Sequence, residues 1–163
     1  MIITTKNITQ LQKGLRENPI HYVFIVNYLT KWDDDVDFDK GTYTNTERVN
    51  SGTTAYVRLL AVTNSGEYIS NEYNSGNLSQ QWEEINYSVS TPTGTAIIIR
   101  GRAGNYTGSL GSYSSAYTNN DETNLIGQYI QWKAELTGTA VAIPTLDWVG
   151  MNYMTNSITE KNP

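Results

Sequence analysis

The 163-residue chain holds one imidazole, His21, and no cysteine. Nucleophilic catalysis is therefore without a thiol, and no serine stands in the strand-turn-helix setting that exposes a nucleophile. His21 lies in an apolar run, where a structural place is expected for it. Glu83 and Glu84 are a carboxylate pair by sequence, but adjacent residues of a regular strand point to opposite faces and cannot flank one bond. The residues lead us to expect neither an enzyme nor a cofactor.

Asp33, Asp35, Asp37 and Asp39 place four carboxylates at alternate positions, a donor set that suits a hard cation such as calcium. The spacing departs from the helix-loop-helix calcium pattern, because the sixth position from Asp33 is Phe38 and the twelfth is Thr44, where Gly and Glu are needed. The run reads as a solvated connector, and these aspartates are the chain's metal candidates. Tyr106, Tyr113 and Tyr117 sit in a stretch otherwise rich in Gly, Ser, Asn and Thr. Tyr supplies rigid contact area there and the amides and hydroxyls supply adaptable hydrogen bonds, so the three are the candidate surface for a sugar or a partner.

Composition narrows the classes. Sixteen acidic against eleven basic side chains give a net charge of −5, and the basic residues are scattered. Nucleic-acid binding, which needs a clustered positive field, is not expected. The longest apolar runs, Val23–Val26 and Ala140–Ile143, fall far short of a membrane span, so no insertion is expected. The start, Met1-Ile2-Ile3-Thr4-Thr5-Lys6, leads into polar sequence and not into a secretion signal, which points to synthesis in a cytoplasm. With 21 Thr, 17 Asn, 12 Ser and 13 Gly against only 17% charged residues, the chain favours turns and pleated surfaces over helices.

The elements that must carry these residues follow from periodicity. The spacing of Ile8, Leu11 and Leu15 behind Asn7 as a cap predicts a short amphipathic helix that Asn18-Pro19 would stop. Ile20 to Leu29 is apolar on both faces, the pattern of a covered strand. Strands follow over Thr54–Ala61, Glu67–Tyr73, Trp82–Ser90 and Thr95–Arg102, separated by turn signals at Asn64-Ser65-Gly66, Asn74-Ser75-Gly76 and Pro92-Thr93-Gly94. Ala103 to Asn124 is a long loop with one short strand around Tyr113 to Tyr117. The clearest alternation is Tyr129 to Leu136, where Ile130, Trp132, Ala134 and Leu136 share one face. A last strand covers Thr145 to Tyr153. The expected fold is all-β, an antiparallel jelly-roll-like β-sandwich over residues 31–153. A short N-terminal helix or arm and the apolar strand occupy 1–30, and 154–163 form a flexible polar tail.

Several segments resemble a known type of module. Phe38-Asp39-Lys40-Gly41-Thr42-Tyr43-Thr44-Asn45-Thr46, Gly66 to Gly76, Trp82 and Pro92-Thr93-Gly94-Thr95 resemble its first half. Tyr129 to Leu136 with Pro144-Thr145-Leu146-Asp147-Trp148-Val149 resembles its closing strands. These are the jelly-roll modules of bacteriophage tail and other virion structural proteins, found also beside carbohydrate-active domains, and the resemblance spans about residues 20–153.

The resemblance implies a non-enzymatic virion protein, a tail or tail-tip component or a capsid decoration protein. Its expected partners are other virion proteins, contacted as a homo-oligomer or in many copies. The assembly interface is expected on the apolar strand, at Tyr22, Phe24, Val26 and Tyr28, because a strand apolar on both faces needs a cover. The alternative is a carbohydrate-binding module, with the loop tyrosines on a glycan.

Overall fold

The computed structural model describes residues 21–32, 35–51, 54–139 and 141–160, with side chains described for 37–50, 55–139 and 141–154. The strands are β1 (His21–Trp32), β2 (Thr42–Thr44), β3 (Thr46–Ser51), β4 (Thr54–Leu59), β5 (Ser65–Ile69), β6 (Tyr73–Asn74), β7 (Gln81–Ser90), β8 (Ala96–Gly104), β9 (Asp121–Ile126), β10 (Tyr129–Thr137) and β11 (Thr145–Glu160), with a single turn of helix, α1 (Asp35–Asp39), after β1. All the pairings are antiparallel. One sheet runs β3-β4-β11-β7-β9, with β1 also on β11. The other runs β2-β5-β10, with β8 on the far edge of β10 and β6 in line with β5.

The order is that of a jelly roll. Counting β4, β5, β7, β8, the 105–120 connection, β9, β10 and β11 as first to eighth, one sheet reads first-eighth-third-sixth. The other reads second-seventh-fourth, with the connection on the fourth strand's free edge. That connection acts as a fifth strand without regular pairing: the N–H groups of Gly111, Ser114 and Tyr117 donate to the carbonyls of Ala103, Gly101 and Ile99 at 3.0, 2.8 and 2.9 Å. The edge of β8 is thereby closed to stray pairing.

Alternation builds the core. Ile130, Trp132, Ala134 and Leu136 of β10 meet Ala55, Val57 and Leu59 of β4 and Leu146, Val149, Met151 and Tyr153 of β11, all buried between the sheets. The sheets are joined at one corner by a single residue, Asn45, between β2 and β3. It adopts φ 52°, a left-handed conformation that Asn tolerates. Its carbonyl accepts from the N–H of Leu60 at 2.9 Å, which ties the neighbouring β4–β5 turn to the corner.

Three expectations are corrected. The Asp-rich connector contains α1, which forms because it buries Phe38 completely. The Phe38 carbonyl then accepts from the Gly41 N–H at 3.1 Å, the Tyr43 hydroxyl at 2.9 Å and the Tyr68 hydroxyl at 3.1 Å. Residues 154–160, expected as a flexible tail, continue β11, because β1 pairs with it from Val149 to Glu160. The long loop ends sooner than expected, at Asp121, where β9 begins. The helix expected around Ile8 to Leu15 lies outside the described residues, and no helix among the described residues is long and apolar enough to cross a membrane.

Candidate functional site

Two outward faces carry polar side chains in quantity. On the second sheet, the alternation that sends Trp132 inward sends Gln131, Lys133 and Glu135 outward, beside Arg100 and Arg102 of β8 and Glu67 of β5. Lys133 Nζ lies 2.8 Å from Glu67 Oε2 and 2.6 Å from Glu135 Oε1, and Arg100 Nε lies 3.3 Å from Glu135 Oε2. These hydrogen bonds raise the affinity of the Lys133 ammonium for its proton and hold the Glu135 carboxyl below the usual carboxylate range.

Tyr113 lies over this face. Its hydroxyl donates to Gln131 Oε1 at 3.2 Å, and its ring has the Arg102 guanidinium 4.5 Å and the Lys133 ammonium 4.9 Å from its centroid. Burial pushes its phenol up, against the pull of both cations.

The three loop tyrosines do not form one surface. Tyr106 is 74% exposed, Tyr113 is engaged as just described, and Tyr117 is a core residue at 9% exposure. Tyr117 turns inward because the bridge to Ile99 closes the edge of β8, and its hydroxyl then donates to the Thr123 carbonyl at 3.0 Å. Tyr117 is corrected from surface to core.

The other face was missed by sequence reasoning. Trp82 and Ile85 of β7 are both fully buried although only two residues separate them, because they pair with Tyr153 and Met151 of β11 and so set Glu83 and Glu84 together opposite the single residue Asn152. This is a β-bulge. It sets aside the strict alternation that would part Glu83 from Glu84, and both line a single groove with Gln81, Trp82, Glu122, Asn124 and Asn152. The groove has a volume of about 390 Å³. Asn86 Nδ2 donates to Glu84 Oε1 at 2.7 Å and holds that carboxylate in place. Asn124 adopts φ 52° within β9, the left-handed conformation that Asn tolerates, at the place where β9 carries one residue more than β7. The signal in the sequence was the Trp-Glu-Glu-Ile spacing itself, in which two core-sized apolar residues lie three apart in a strand.

The remaining candidates fall elsewhere. Tyr22, Phe24, Val26 and Tyr28 sit in β1 opposite Thr159, Ser157, Thr155 and Tyr153 of β11; their side chains lie outside the described residues. Asp33 lies outside them as well, as does the side chain of Asp35. Asp39 Oδ2 is 2.8 Å from Arg48 Nη1 and Asp37 Oδ1 is 3.6 Å from Lys40 Nζ. Among the described residues no acidic or imidazole cluster has the arrangement of a metal site.

The strand order and the two polar faces define a jelly-roll β-sandwich with a groove on one outer sheet face. No family model and no curated protein matches the chain. Among solved structures it is similar to TmCBM61 in complex with β-1,4-galactotriose, at 11% identity and a TM-score of 0.40, over 79% of this chain and 88% of that one.

Proposed function

We propose that this sandwich is a carbohydrate-binding module whose ligand lies in the Glu83–Glu84–Glu122 groove. The observation that carries the reading is the bulge of β7 against β11, which gathers carboxylates and amides around one groove on an outer sheet face. Its volume falls in the range of roughly 300–1,000 Å³ typical of small-molecule sites, but its lining is polar where most such sites are apolar. A polyhydroxylated ligand matches that lining. Carboxylates accept from vicinal hydroxyls, and the amides of Gln81, Asn124 and Asn152 both donate and accept. Three carboxylates disfavour a polyanion, so the ligand is a neutral glycan.

Calorimetry of the chain against neutral oligosaccharides tests this, with Asn152→Ala and Glu84→Gln as variants. Binding by the wild type and a loss of about tenfold in each variant is expected, one hydrogen bond to a sugar being worth about 1 kcal/mol or more. An absence of binding to any neutral glycan, or binding indifferent to both variants, would overturn the reading.

A second reading, a bacteriophage structural subunit residing in the virion, has one observation in its favour. From Met154 to Glu160, β11 pairs with β1 and with no other strand among the described residues. A two-stranded ribbon is marginal alone and gains from a covering copy. Light scattering after size exclusion distinguishes the readings: a defined oligomer broken by Phe24→Asp favours the subunit, and a monomer at every concentration counts against it.

A further inference from the structure

Among the cations whose side chains are described, Lys40, Arg48, Arg58, Arg100 and Lys133 each stand against a carboxylate. Arg102 stands against a neutral amide. Its Nε lies 2.9 Å from Gln131 Oε1, with Nη2 on the same oxygen. That oxygen also accepts from the Tyr113 hydroxyl, while Gln131 Nε2 donates to the Ser70 carbonyl at 2.8 Å. The guanidinium is therefore fixed on one edge by an amide that is itself fixed, and on its flat face by the Tyr113 ring. The remaining N–H groups have no partner within the described residues, and the positive charge has no carboxylate against it.

Such a guanidinium is organised for an anion before the anion arrives. Its planar fork matches a carboxylate with two parallel hydrogen bonds, and little side-chain freedom is left to lose on binding. The flanking connection, Gly111 to Ser115, runs along the edge of β8 beside Arg102 and brings serine hydroxyls to it, surroundings that suit a sugar ring more than a peptide side chain. We propose that the outer face of the second sheet, at Arg102 and Tyr113, binds the carboxylate of an acidic sugar. This subsite lies on the sheet opposite the acidic groove and is independent of it. It rests on the glycan reading only for the kind of molecule that brings the carboxylate.

The test is calorimetry with oligogalacturonate, its methyl ester and a poly-glutamate peptide. The proteins are the wild type, Arg102→Gln, Arg102→Lys and the groove variant Asn152→Ala, each checked for native thermal unfolding. Oligogalacturonate should bind the wild type and Asn152→Ala alike. The methyl ester, and either Arg102 variant, should weaken binding by about tenfold or more, Lys failing because it has no fork. Equal affinity for acid and ester, or binding unchanged in Arg102→Gln, would overturn the proposal. Preference for poly-glutamate would also overturn it, in favour of a protein ligand. Binding of neutral glycans without acidic ones would overturn this subsite and leave the groove reading standing; binding of no glycan at all would overturn both. If Arg102→Gln does not fold, the acid-against-ester comparison on the wild type decides alone.

Discussion

Glu84 stands directly opposite Glu122 across the β7–β9 pair. Like charges at that position of an antiparallel ladder repel, and no cation among the described residues is hydrogen-bonded to either. The pair is a local conflict in an otherwise consistent sheet, of the kind that functional surfaces retain. Glu122→Gln should therefore stabilise the fold by about 0.2–1 kcal/mol, raising the melting temperature by about 1–3 °C, while it weakens binding of a neutral glycan. Thermal unfolding and calorimetry on the same sample check the two effects together. A lower melting temperature would mean that the pair is not repulsive.

Beneath the sheet that carries the groove, the Trp82 indole is held by a buried contact. Trp82 Nε1 donates to the Gly127 carbonyl at 2.9 Å, and the Gly127 N–H donates to the Gln80 carbonyl at 2.9 Å. Gly127 adopts φ 156°, and a Cβ there would lie 2.6 Å from the Gly104 backbone nitrogen. Because backbone is what it would meet, Gly127→Ala should cost about 1–3 kcal/mol in urea unfolding. An unchanged denaturation midpoint would count against the contact.

Strong base should unfold the protein through the Phe38 carbonyl. Burial pushes the Tyr43 phenol up to about 12 and the Tyr68 phenol higher still. A folded-state pKa above the unfolded value near 10 means that the neutral phenol is favoured in the native state. The stability it contributes is complete below about pH 10 and is lost as pH rises through 12. Stability measured between pH 9 and 12 should fall steeply in the wild type and less steeply in Tyr68→Phe. Tyr68→Phe itself should cost little at pH 7, because the Phe38 carbonyl keeps the Gly41 and Tyr43 donors.

The sandwich was legible because β10 and β4 obey strict alternation, and period two with turn signals leaves few architectures open. β9 was not, since Asp121, Glu122 and Asn124 are poor strand formers and the segment is held as a strand by its ladder with β7. The groove was hidden for a related reason: the rule that separates Glu83 from Glu84 holds in a regular strand, and a bulge is decided by pairing with a distant segment. Tyr117 and Tyr113 look alike in sequence and differ only by which of them reaches the bridge to Ile99.

That difference yields a direct comparison of Tyr106 with Tyr117. Tyr117 is buried under the edge of β8, linked through the Thr123 carbonyl to β9 and so to the wall of the groove. Tyr117→Ala should cost about 3–5 kcal/mol, the range for removing a buried aromatic ring. Tyr106→Ala removes an exposed ring and should change stability by less than about 0.5 kcal/mol. Urea unfolding of the two variants separates the roles. A stable Tyr117→Ala protein would contradict its place in the core.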